Sequence, residues 1–185
     1  MKRSKILELL QAYIPSPAEV LNKKEMITFI ENNQDCFERS LAAGHLTASA
    51  WLLNKDTSQV LLTHHTKLNM WLQLGGHCDG DPDILGVAIK EAQEESGITQ
   101  IYPVSEDIFD IDIHLIPAYK QDTAHYHYDV RFLLQVTSDE KIRMSKESKE
   151  LRWVDRDIKN FPTNSPSMLR MFHKWKRQLS IPEEK

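Results

Sequence analysis

Residues 74–98, reading LGGHCDGDPDILGVAIKEAQEESGI, constrain this chain more than any other stretch. A paired glycine, Gly75-Gly76, opens it, a short acidic loop follows, and a carboxylate-rich helix closes it. The spacing predicts that helix over residues 82–96. Asp81 can serve as N-cap, Pro82 takes the first helical position where a missing N–H costs nothing, and Gly97 stops the helix. At about 100° per residue, Glu91, Glu94 and Glu95 share one face, and Leu85, Ala88, Ile89 and Ala92 form the neighbouring apolar stripe. Three like charges on one face repel by a few tenths of a kcal/mol per pair. A divalent cation relieves that repulsion, and carboxylate oxygens are the ligands that Mg²⁺ and Mn²⁺ prefer. A solvated acidic face is the alternative for a Glu-rich helix.

The glycines and the Glu-Glu-x-Gly-Ile ending resemble the Nudix box, G-x5-E-x7-R-E-U-x-E-E-x-G-U, where U is bulky and apolar. Aligned on Gly76, the ending falls without a gap on Lys90, Glu91, Ala92, Gln93, Glu94, Glu95, Ser96, Gly97 and Ile98. Pro82 stands where the motif has its first Glu, Lys90 where it has Arg, and Ala92 is small for its position. The joint loss reads as one coupled change, with Asp81 or Asp83 taking over the contact to Lys90. The resemblance to this MutT-like family implies an α/β/α sandwich with a mixed sheet. It makes Glu94 and Glu95 metal ligands, Glu91 a ligand or an orienter of water, and Gly75 a carbonyl ligand, with Mg²⁺ or Mn²⁺ as cofactor. It also implies a further Glu beyond the box, for which Glu150 and Glu147 are the candidates.

A length of 185 residues suits one domain with an appendage. We expect an N-terminal helical extension over residues 1–40 and the Nudix domain over residues 41–185. The net charge of −4 argues against a broad nucleic-acid surface but leaves a small nucleotide substrate open. Two cysteines, Cys36 and Cys78, give no disulfide framework and suit a reducing cytoplasm. The basic, then apolar N-terminus is broken by Glu8 and Gln11, so it reads as an amphipathic helix rather than a signal peptide. No apolar run is long enough to span a bilayer.

Along the chain, helices are expected over residues 4–13, 17–31 and 167–177, with a short helical piece at 35–39. Ser16-Pro17-Ala18-Glu19 is a capping-box pattern. Strands are expected over residues 45–53, 59–63, 71–74, 108–117, 125–136 and 151–154. The segment HYHYDVRFLLQV puts His125, His127, Asp129 and Arg131 on one face. The N-terminal helices read as a packing appendage, with a homodimer contact or a substrate lid as the alternative.

The family's chemistry is hydrolysis of a diphosphate bond in a nucleoside diphosphate linked to another group, or in a nucleoside triphosphate. Beside it stands a possible second metal site, shared by His77, His127 and Asp129, because neutral imidazoles and a carboxylate suit a transition metal. The bland reading of His77 is a loop histidine satisfied by a backbone carbonyl. Trp71, Tyr126 and Tyr128 could stack on a base, although core packing suits each. Two other functions compete. A Nudix-like nucleotide sensor would have lost catalysis, yet all three Glu are present. An isopentenyl-diphosphate isomerase would have its cysteine just before a histidine, whereas Cys78 follows His77.

Overall fold

Strand alternation builds one mixed sheet whose two faces carry different chemistry. The computed structural model describes residues 2–118, 123–138, 141–145 and 148–178. Its strands are β1 (Gly44–Leu53), β2 (Gln59–His65), β3 (Trp71–Leu72), β4 (Leu74–His77), β5 (Ile101–Pro103), β6 (Asp110–Ile116), β7 (His125–Val136) and β8 (Ser148–Asp155). Its helices are α1 (Ser4–Ala12), α2 (Val20–Asn32), α3 (Ile84–Ser96) and α4 (Pro166–Gln178). β1 is central. It runs parallel to β7 from Gly44 opposite Tyr126 to Leu53 opposite Gln135. On its other side it is antiparallel to β4 over Thr47–Ala50 and to β2 at Leu52 and Leu53. β6 and β5 share the far side of β7, while β3 and β8 complete the sheet around β2.

The side chains of β1 alternate between two cores. Leu46, Ala48, Ala50 and Leu52 join Val130, Phe132 and Leu134 of β7 against α3, α1 and α2. Trp51 and Leu53 join Met168, Met171, Phe172 and Trp175 of α4 on the opposite face. The sheet is thus sandwiched between helices, as the resemblance implies. On the α4 side, however, β1 stops being apolar towards its N-terminal end: His45, Thr47 and Ser49 are buried and polar. Within that one strand the face toward α4 thus changes from apolar to polar.

The N-terminal helices share the main core through Ile6, Leu10, Met26, Phe29 and Ile30. They are also tied by charge. Ser16 donates its N–H to Glu19, and Glu19, fully buried, receives Lys174 Nζ of α4 at 2.6 Å and the Ile111 N–H of β6 at 3.2 Å.

Four local expectations change. Helix α3 begins at Ile84 rather than at Pro82, because Asp81 accepts the Asp83 N–H at 2.9 Å and spends residues 81–83 on a turn. The expected helix at residues 35–39 is a pair of turns, and the second N-terminal helix opens with a 3₁₀ turn at Pro17–Glu19. The last strand is longer than LRWV, since its pairing with β2 runs from Ser148 to Asp155. Gly97 ends α3 at φ +70°, as its position in the sequence suggests.

Candidate functional site

The glycine pair lies on β4 and the carboxylates on α3, and two close contacts join them. Glu95, largely buried, accepts the Gly75 N–H through Oε1 at 2.8 Å. Glu91 presses on Gly76, where an added Cβ would collide with Glu91 Oε2. The close approach explains the glycine: any side chain there would push the carboxylate away. Glu94 is exposed and pairs with Lys90 one turn earlier, at 3.7 Å. Three carboxylates on one helical face, beside a glycine backbone, form a donor set of the kind hard divalent cations take.

The loop between the glycines and α3 is clamped by the segment before β1. Arg39 pairs with Asp79, Gly80 donates its N–H to Phe37 O at 3.1 Å, and Leu46 donates to Cys36 O at 2.7 Å. This holding of the loop is where the sequence reading needs correcting. The structure pairs Lys90 with Glu94, not with Asp81 or Asp83. Asp83 lies 3.5 Å from Lys5 of α1, and Asp81 is occupied by the Asp83 amide.

Directly after Gly76, on the opposite sheet face, stands a cluster of histidines. His45 of β1 is opposite His127 of β7, and His127 is opposite His114 of β6. His77 of β4 is opposite Thr47, two residues along from His45. Ring centroids lie 5.0 Å apart for His45 and His77, 4.9 Å for His45 and His127, and 5.1 Å for His77 and His127. Each of these three offers a ligand atom, all within 4.8 Å of one another. His45 is 2% exposed, and among the described residues neither of its ring nitrogens has a hydrogen-bond partner. Leaving such a group unpaired costs about 1–3 kcal/mol. Burial, with the neighbouring imidazoles, takes His45 down to about 4 and His127 down to about 2, so both rings are neutral at pH 7.

Asp129 does not join these rings. Its Oδ1 accepts Thr47 Oγ1 at 3.0 Å and Ser49 Oγ at 2.8 Å, and its Oδ2 accepts Arg131 Nε at 2.7 Å. Buried Arg131 also donates to Asp110 at 3.0 Å and faces Asp112, and Arg170 of α4 binds both aspartates. Burial opposes the Arg131 charge, yet the three aspartates raise its pKa above the ordinary value. The structure therefore brings His77 and His127 together with His45, and gives Asp129 to a charge network that runs to α4. Nothing in the spacing His-x-His-x-Asp separates the two groups. What does is strand pairing, which one strand's alternation cannot reveal.

Glu150 lies on β8 opposite His64, one strand beyond β2, where Arg152 holds it at 2.7 Å. Glu147 lies outside the described residues. Arg152 also sits 4.7 Å over the Trp71 ring, Tyr128 stacks on Phe29 at 3.8 Å, and Tyr126 is exposed. Both cysteines are free and buried, and burial pushes the Cys36 thiol up to about 11 and Cys78 further still. No helix among the described residues is long and apolar enough to cross a membrane.

Solved structures with this fold include the Ap4A hydrolase of C. elegans in a binary complex, 19% identical, with 72% of this chain and 96% of that one covered at a TM-score of 0.58. A MutT protein from Methanosarcina mazei Go1 is 20% identical over 76% and 99% of the two chains, TM-score 0.56. A NUDIX family hydrolase from Clostridium perfringens is 24% identical over 72% and 97%, TM-score 0.52. At such identities the likeness speaks for the fold. Comparison with curated proteins gave no match. The sequence model of the NUDIX domain matches residues 44–174, most of the chain, and with the box on α3 and the sandwiched sheet this chain belongs to the Nudix family of hydrolases.

Proposed function

We propose that the chain hydrolyses a diphosphate bond in a small nucleotide-type substrate, either a nucleoside diphosphate linked to another group or a nucleoside triphosphate. Glu91, Glu94, Glu95 and the Gly75 carbonyl would hold Mg²⁺ or Mn²⁺. The observation that carries this reading is the Gly75–Glu95 hydrogen bond of 2.8 Å, because it fastens the acidic face of α3 to the glycine backbone and so supports a cation site between them. Such an ion offsets charge on the phosphates and makes water acidic enough to attack. The protein's own residues do the positioning. Gly75 orients Glu95, Gly76 sets the distance of Glu91 from β4, and Glu94 keeps a solvent-screened pair with Lys90 that a cation can displace. The buried thiol of Cys78 has no part in this, which also weighs against the isomerase. Two buried free cysteines suit a reducing compartment, and we place the activity in the cytoplasm.

The test is turnover on a panel of nucleoside triphosphates, dinucleoside polyphosphates and nucleotide sugars with Mg²⁺ or Mn²⁺. Glu94→Gln and Glu95→Gln should each lose about 100-fold or more, the factor that about 3 kcal/mol of lost charge stabilisation gives. Glu150→Gln, run alongside, asks whether a carboxylate outside the box takes the proton. A compound that raises the melting temperature without being consumed would replace the hydrolase with a nucleotide sensor.

A further inference from the structure

We propose that His45, His77 and His127, with His125 beside them, hold a transition-metal ion of the zinc class, at a site separate from the α3 carboxylates. The three rings come from three adjacent strands and present ligand atoms within 4.8 Å of one another. His45 is buried among the other rings, which lie within 5.0 Å of it, and both its nitrogens lack partners. A cluster held together only by mutual packing would not leave them so.

His125 supplies an independent sign. Its Nδ1 is 2.8 Å from the carbonyl oxygen of Thr123, a contact that only an N–H can make. A ring that donates from Nδ1 turns Nε2 toward the cluster as its ligand atom, and that atom stands 3.3 Å from His127 Nε2. Two nitrogens bound tetrahedrally at about 2.0–2.1 Å from one ion lie about 3.4 Å apart. A backbone carbonyl on the opposite ring nitrogen is also how metal-binding imidazoles are oriented. Neutral nitrogen donors suit zinc, copper, nickel or iron, whereas Mg²⁺ takes oxygen. Since His77 follows Gly76 directly, the ion would pin the glycine strand to β1 and β7 and hold it in place against α3.

The experiment uses the full chain without an affinity tag, stripped with EDTA and titrated with Co²⁺ alone, whose visible absorption reports tetrahedral coordination. We expect one equivalent to bind, to be displaced by Zn²⁺, and to be lost in His45→Gln and His127→Gln but kept in Glu94→Gln and Glu95→Gln. Because His45 is buried, His127→Gln and His77→Asn are paired with melting curves. Zn²⁺ should raise the melting temperature of the parent protein and leave these two unmoved. Failure of the parent to bind Co²⁺, a band that survives His127→Gln, or one that vanishes with Glu95→Gln overturns the proposal.

Discussion

At the scale of the residue, the glycine pair does two different jobs that one substitution each can separate. A methyl group at Gly76 would meet only the end of the Glu91 side chain, which can swing away. A methyl at Gly75 would meet Ala48 O at 2.6 Å and Ser49 Cα at 2.7 Å, which are backbone and cannot. Gly75→Ala should therefore cost about 1–3 kcal/mol and lower the melting temperature by several degrees. Gly76→Ala should fold with nearly parental stability and lose activity through the displaced carboxylate. Thermal unfolding of the two variants checks this, and equal losses would rule out a mobile Glu91. Much of this was readable beforehand: the box names Gly76 and all three Glu by their spacing, and the family resemblance adds Gly75. His45 stood out only in a faint likeness to the isomerase's entry strand, because a histidine opening an apolar-looking strand gives no hint of what its neighbours across the sheet will be.

At the scale of the element, α4 is fastened by its apolar stripe and also by two basic residues aimed at the sheet, Arg170 and Lys174. Lys174 reaches Glu19 at 2.6 Å, Asp110 at 2.8 Å and Tyr13 Oη at 2.7 Å, joining α4, β6 and the N-terminal helices at one point. Removing one partner of a buried charge group leaves the others uncompensated. Lys174→Met should cost about 3–5 kcal/mol and lower the melting temperature by roughly 10 °C, whereas the exposed pair Arg152–Glu150 should contribute less than about 1 kcal/mol. Calorimetry on Lys174→Met and Arg152→Ala makes the comparison, and equal effects would defeat it. The sequence shows Glu19 as a capping residue and Lys174 as a basic residue near a helix end, two surface roles. That they meet in the interior depends on how α2 and α4 stand across the sheet, which no local pattern encodes.

For the whole molecule, the same network sets the response to acid. Burial alone would raise the Glu19 carboxyl. Hydrogen bonds from Lys174, Ser16 and Tyr13, with the Lys174 charge, overrule it and hold the group at about 2, below its ordinary 4.5. A carboxyl depressed on folding contributes stability that is complete above the ordinary value and lost as the pH falls from about 4.5 towards 2. Glu19 should contribute on the order of 3 kcal/mol in that way. Urea midpoints at pH 7, 4.5 and 3 should fall for the parent and fall less for Glu19→Gln; parallel curves would remove Glu19 from the account. The alternation of β7 was legible in the sequence, but its parallel pairing with β1 was not, since that partner lies 82 residues away. That distance also bears on how the protein is made. At about 5–20 residues per second, roughly 4 to 16 s pass between synthesis of a residue in β1 and of its neighbour in β7. Throughout that interval the apolar central strand lies open along one side, a natural grip for a chaperone and a hazard where none is at hand.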